Sequence, residues 1–210
     1  MRTSWLNRLG AHIRTMARPS EPNTQTLASS SGGGGGAAMA KATGKLRQDK
    51  FYRLAKEQGY RSRAAFKLLQ LDTQFSFLPT ARVVLDLGAA PGGWLQVAVR
   101  GATAGAFVVG VDLARIGPIR GAVSLREDIT ATARCSAAVR RLMDSKGVTA
   151  FDVVLHDGVG KNKKRKCDGA QEATKQSELV IDAVRLATTL LAPNGTFITK
   201  VLRVYLFRCN

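Results

Sequence analysis

The spacing of apolar and polar positions changes character once along this chain. From Asp49 the pattern is helical: Leu54, Ala55 and Gln58 lead to a break at Gly59. A second helix is predicted from Ser62 to Leu71, with Ala65, Phe66 and Leu69 toward a core and Leu68 at the margin of that stripe. Arg61, Arg63 and Lys67 fall on or near its first turns. After Pro79, short β-branched runs alternate with helical stretches. Strands are predicted at Arg82–Leu87, Ala106–Val111, Val123–Arg126, Phe151–His156 and Thr196–Val201. Helices are predicted between them, at about Trp94 to Arg100, at Ala133 to Lys146 with Gly147 closing it, and at Gln176 to Leu191, where Pro193-Asn194-Gly195 supplies the stop. Strands separated by helices make a parallel α/β sheet with right-handed connections.

Charge narrows the class of partner. The 210 residues carry 32 Lys plus Arg against 15 Asp plus Glu, a net charge of +17, which favours a polyanion, either nucleic acid or an anionic membrane surface. Residues 1–43 look like an appendage. Arg2, Arg8, Arg14 and Arg18 precede the first acid, Glu21, and a Gly-rich linker spans Gly32 to Gly36. This start reads as a disordered extension, with Met39 as an alternative first residue, or as an organelle transit peptide. Cys135, Cys167 and Cys209 are 32 and 42 residues apart, which fits no metal-ligand spacing, and three cysteines argue against a disulfide framework. With only His12 and His156, a histidine metal site and a Ser-His-Asp triad are both set aside. No apolar run approaches a membrane span.

The candidate chemistry lies at the strand ends. Asp86-Leu87-Gly88-Ala89-Ala90-Pro91-Gly92-Gly93-Trp94 joins a strand to a helix, and glycines there let a ligand approach the backbone. Asp112 ends the next strand, where a carboxylate accepts from ribose hydroxyls, and Asp128 follows the third strand, within reach of an adenine amino group. The turn is not G-x-G-x-x-G, so a dinucleotide is disfavoured.

At this point DKFYRLAKEQGYRSRAAFKLLQLD, VLDLGAAPGGWLQVA, VGVDL, EDIT, DVVLHDG and GTFITKV, read in order from about Lys45 to Val201, closely resemble the FtsJ/RrmJ family of RNA ribose 2′-O-methyltransferases. RLAKEQGYRSRAAFKL is most similar to the eukaryotic nucleolar branch acting on large-subunit precursor rRNA. The resemblance implies a Rossmann-like methyltransferase fold, with about five parallel strands and helices on both faces, over residues 44–201. It implies S-adenosylmethionine as cofactor, held by Gly88, Pro91, Gly92, Gly93, Trp94, Asp112, Asp128 and Asp157. It implies Lys67, Asp157 and Lys200 as the catalytic set, with Lys200 as base, Asp157 orienting it, and Lys67 holding the site or a phosphate. A pre-rRNA partner in the nucleus or nucleolus follows, with no metal and no membrane; a transit peptide would instead imply a mitochondrion or plastid. His156 reads as a packed strand-end residue.

Two departures qualify the resemblance. After Asp157-Gly158 the family expects Ala-Pro-Asn and soon a tryptophan, whereas this chain reads Val159-Gly160-Lys161-Asn162-Lys163-Lys164-Arg165-Lys166-Cys167. That basic run suits RNA phosphate, a nuclear import signal, or a solvated insertion. The family also places a catalytic glutamate, and further strands, a few tens of residues beyond the second lysine, and the tail 202–210 does not follow its pattern. The competing expectation is a catalytically impaired RNA- or cofactor-binding fragment of such an enzyme. Methylation of a small molecule or protein leaves the lysine pair and the charge without a reason.

Overall fold

The computed structural model describes residues 52–158 and 169–200, with side chains in the last helix described from Gln176 onward. The expectations for residues 1–43, the basic run after Gly158, Cys167, Cys209 and the tail 202–210 lie outside the described residues. After a helical stretch at 52–57, the elements are α1 (Ala65–Phe75), β1 (Val83–Leu87), α2 (Gly93–Gly101), β2 (Phe107–Val111), β3 (Ala122–Leu125), α3 (Thr132–Asp144), β4 (Phe151–His156), α4 (Gly169–Leu190) and β5 (Leu191–Thr199). All strand pairs are parallel, in the order β3-β2-β1-β4-β5. The order reverses between β2–β1 and β4, which puts a crevice at the carboxyl ends of β1 and β4.

Side-chain alternation builds two cores. Val84, Val108, Val153 and Leu155 pack with Ala65, Leu68 and Leu71 of α1 and with Trp94, Leu95, Val97 and Ala98 of α2. Leu85, Leu87, Val109, Val111 and Val154 pack on the opposite face with Cys135, Val139 and Met143 of α3 and Ala183, Leu186, Ala187 and Leu190 of α4. A sheet buried on both faces needs largely apolar strands, and β1, β2 and β4 are apolar apart from Asp86, Asp152 and His156.

The boundaries shift in three places. The helix expected at 62–71 runs from Ala65 to Phe75, and its buried stripe is Ala65, Leu68 and Leu71, with Phe66 and Leu69 only half-buried. Phe66 turns instead toward Tyr60, edge to face with ring centroids 5.8 Å apart. The helix expected from Gln176 begins at Gly169. The third shift concerns Pro193-Asn194-Gly195, which does not follow the helix as a separate stop. The chain is already extended at Leu191, which pairs with Phe151, and pairing resumes at Val153 with Thr196. The irregularity inside β5 absorbs the turn-forming residues, with Asn194 in the left-handed region at φ 63°.

Candidate active site

The glycine turn is built by close backbone approach. The Gly88 and Ala89 N–H groups donate to the Val111 carbonyl at 2.8 and 3.1 Å, tying the end of β1 to β2. Gly88 has φ 73°, and a Cβ there would stand 2.8 Å from the Cα of Gly158, so the chain ends after β1 and β4 meet main chain to main chain. Gly92 caps α2 at φ 111°, where a Cβ would fall 2.7 Å from Ile119 Cδ1. Pro91, after a cis peptide bond, is exposed in the turn, and Gly93 opens α2. Trp94 is buried, and its indole N–H donates to the Ala64 carbonyl at 2.9 Å, so the side chain pins the turn to the start of α1.

Three carboxylates follow strand ends here. Asp112 is 5% exposed; its two oxygens accept from the Ala90 N–H at 2.9 Å and the Ala114 N–H at 2.7 Å. It therefore shapes the glycine turn from the end of β2. Asp128 accepts from the Thr130 hydroxyl at 2.7 Å and the Thr130 N–H at 2.9 Å. These bonds, the hydroxyl first, with Arg134 nearby, hold its carboxyl below the ordinary range against a small opposing effect of burial. Asp157 lies 2.9 Å from Lys200 Nζ through Oδ1.

That pairing follows from strand register. His156 pairs with Thr199, and the Lys200 N–H donates to the His156 carbonyl at 3.0 Å. Asp157 and Lys200 thus leave adjacent parallel strands side by side. His156 between them is fully buried, shares a 2.9 Å hydrogen bond from Nδ1 with Thr199 Oγ1, and is held neutral by burial, its pKa lowered to about 4. It is the packed strand-end residue expected. Lys67 is exposed on the first turn of α1, and among the described residues its side chain makes no hydrogen bond or ion pair.

The chain matches the FtsJ-like methyltransferase family over residues 60–208. It belongs to that family. It is 51% identical over 160 residues to the pre-rRNA 2′-O-ribose RNA methyltransferase FTSJ3 of Pongo abelii, covering 76% of this chain and 18% of that protein. It is 48% identical over 163 residues to the AdoMet-dependent rRNA methyltransferase spb1 of Schizosaccharomyces pombe, covering 78% of this chain and 20% of that one. The chain therefore spans about a fifth of the length of these relatives. A ribosomal RNA methyltransferase from Plasmodium falciparum superposes with a TM-score of 0.59 at 25% identity, covering 70% of this chain and 80% of that chain. The Rossmann-like sheet of this FtsJ-like domain, with helices on both faces, is the architecture expected from its motifs.

Two residues of this FtsJ-like site carry no role in the sequence reading. Asp86 lies inside β1, fully buried, with neither carboxylate oxygen hydrogen-bonded. Burial first, then the nearby charges of Asp157 and Asp112, push its pKa well above the carboxylate range. An acid within a five-residue apolar strand is the signal that identifies it. Arg61, just before α1, donates to the carbonyls of Gly117, Pro118 and Pro91. No sequence pattern marks that role. Among the described residues no cluster of His, Cys, Asp and Glu fits a metal ion, and no helix is long and apolar enough to cross a membrane.

Proposed function

We propose that this chain is an S-adenosylmethionine-dependent methyltransferase domain acting on a ribose 2′-hydroxyl of RNA, with pre-rRNA in the nucleus or nucleolus as its setting. The observation that carries the reading is the Asp157–Lys200 pair at 2.9 Å beside a glycine turn that a side chain at Gly88 would obstruct. Family membership and the RNA-methylating relatives support it.

The residues present fit a sulfonium nucleoside cofactor. The turn after β1 presents the backbone of Gly88 and Pro91 to Gly93 at the crevice end of the sheet, and the Asp112, Asp128 and Asp157 carboxylates follow the ends of the other strands. In the proposal, Gly88 and Pro91 to Trp94 form the cradle through their backbone, Asp112 meets ribose hydroxyls, Asp128 the adenine, and Asp157 borders the reactive end. When bound, the cofactor supplies an electrophilic methyl on a good leaving group. A ribose hydroxyl becomes an effective nucleophile as its proton departs, and Lys200, in its neutral amine form, is the group assigned to take that proton at Nζ. Asp157 orients Lys200, and Lys67 holds the site or a neighbouring phosphate. Placing the hydroxyl in line with the methyl contributes much of the rate.

Labelled cofactor incubated with the chain and rRNA tests this directly. Label recovered as 2′-O-methylribose, and lost in Lys200→Ala, is the expected result. Label found only on base or protein would reject it. A folded chain that binds cofactor without transferring methyl would favour the binding-fragment alternative.

A further inference from the structure

The His156 side chain makes one hydrogen bond, and its place is informative. The ring is fully buried, Nδ1 lies 2.9 Å from Thr199 Oγ1, and among the described residues Nε2 has no partner. A buried imidazole with one nitrogen unsatisfied costs stability that an aliphatic side chain in the same place would not. The ring also needs its neighbours to be small. A Cβ at Gly158 would collide with Nε2, and one at Gly88 would stand 3.9 Å from Cδ2. His156 therefore lies beneath the chain ends that leave β1 and β4.

Its one bond falls where β5 has little else to hold it. Among the described residues β4 is the one strand neighbour of β5. Their pairing is irregular between Phe151 and Val153, and regular only from Val153–Thr196 to His156–Thr199. Lys200 follows the last of these pairs, and its N–H donates to the His156 carbonyl at 3.0 Å. His156 thus grips two successive residues, Thr199 through its ring and Lys200 through its carbonyl. The next residue on its own chain is Asp157, whose Oδ1 is 2.9 Å from Lys200 Nζ. The ring acts without charge, because burial lowers its pKa to about 4. A cation one residue from Asp157 would compete with Lys200 for that carboxylate.

We propose that His156 and Thr199 form a side-chain clamp across the ends of β4 and β5 that positions Lys200 against Asp157 for proton transfer. Both are positioning residues and act through the backbone that carries the pair. This deepens the function proposed above and rests on it, since that reading assigns the proton to Lys200. The competing account is a packing role for His156. It predicts lost stability alone, with no dependence of turnover on the Thr199 hydroxyl.

The test is steady-state methyl transfer to rRNA by the 210-residue chain and its variants. Thr199→Val deletes the hydroxyl and keeps the branched shape that suits a strand. It is expected to lower kcat about 10- to 100-fold, the scale of a displacement of about 1 Å near a reacting group. KM for RNA and calorimetric cofactor affinity should stay within about twofold of wild type. Thr199→Ser restores the hydroxyl and should return kcat to within about threefold of wild type. His156→Leu should lose about as much as Thr199→Val, and the double variant little more than either. Amide hydrogen exchange at the Lys200 N–H is a second readout that needs no turnover. In Thr199→Val it should quicken about fivefold or more relative to the amides of Val154 and Leu155. Wild-type kcat in Thr199→Val, a loss that Thr199→Ser does not restore, or unchanged exchange at Lys200 overturns the clamp. If exchange quickens as expected and the wild type leaves ribose unmethylated, the clamp stands and the proposed function fails.

Discussion

Lys200 Nζ stands 2.9 Å from Asp157 Oδ1 because β4 and β5 run parallel in a register that pairs His156 with Thr199. The contact is ionic, since Asp157 Oδ1 has no hydrogen bond of directed geometry. Asp157→Asn keeps the shape and removes the charge that orients the lysine. Methyl transfer is expected to fall about 10²-fold or more, within the range for misplacing a general base. A double-mutant cycle with Lys200→Met checks the coupling. The double variant should be little slower than Lys200→Met alone, whereas additive losses would mean that the two side chains act independently.

Asp112 combines two tasks whose loss should appear together. Its carboxylate accepts from the Ala90 and Ala114 N–H groups and is almost fully buried. Asp112→Ala strands two donors, each costing roughly 1–3 kcal/mol where water cannot reach it. The glycine turn should loosen, with cofactor affinity by calorimetry falling at least about tenfold and the melting temperature dropping. A variant with wild-type affinity would remove Asp112 from the cofactor site.

Gly88→Ala tests the close approach of strand ends. The residue has φ 73°, and its Cβ would meet the Cα of Gly158, which is backbone and yields less easily than a side-chain tip. Strain of about 1–3 kcal/mol is expected from the conformation and the contact together. Gly105→Ala is the control: it also has positive φ, at 80°, but a Cβ there meets nothing within 4 Å. Chemical denaturation should rank Gly88→Ala as the more damaging. Equal losses would show that φ alone matters and that the contact with Gly158 is soft.

The strands are legible in the sequence because they are buried on both faces and hence mostly apolar, as in Val83–Leu87 and Phe151–His156, where Asp86, Asp152 and His156 are the exceptions. The glycine turn is legible because close main-chain contacts at the end of β1 require residues without a Cβ, and Asp112, Asp128 and Asp157 are legible as acids that follow strand ends. The α1 stripe departs from its pattern at Phe66, where local hydrophobicity does not reveal that Tyr60 offers a competing aromatic partner. The start of β5 is hidden because Pro193-Asn194-Gly195 has turn chemistry, and pairing with Phe151 across the sheet overrides it. Arg61 is invisible for a similar reason: its partners are main-chain carbonyls 56 and 57 residues away, and a carbonyl leaves no mark in composition.

His156 makes stability depend on acid. Its folded pKa is about 4 against an ordinary 6.5, so the unfolded chain takes up a proton that the fold excludes. The contribution is complete above pH 6.5 and is lost as pH falls toward 4, at up to about 3 kcal/mol over that span. His156→Gln removes the titrating ring while retaining an amide for Thr199. Melting temperatures taken from about pH 7 to 4 should fall less steeply in this variant. Parallel curves would show that the ring is not held neutral.

Asp86 works in the opposite direction. Its folded pKa lies well above the carboxylate range, so the fold retains a proton that the unfolded chain releases. Its favourable contribution is therefore present below the unfolded value of about 3.9 and declines as pH rises through the folded value. Asp86→Asn is close to the protonated acid in shape, and it never ionises. The variant should be more stable than wild type at about pH 7, with the gap narrowing as pH is lowered to about 4, because both side chains are then neutral. Thermal unfolding across that range measures the gap. If the gap is constant with pH, or if wild type is the more stable near neutrality, Asp86 is ionised in the fold, and burial with the neighbouring Asp157 and Asp112 does not hold its proton in place.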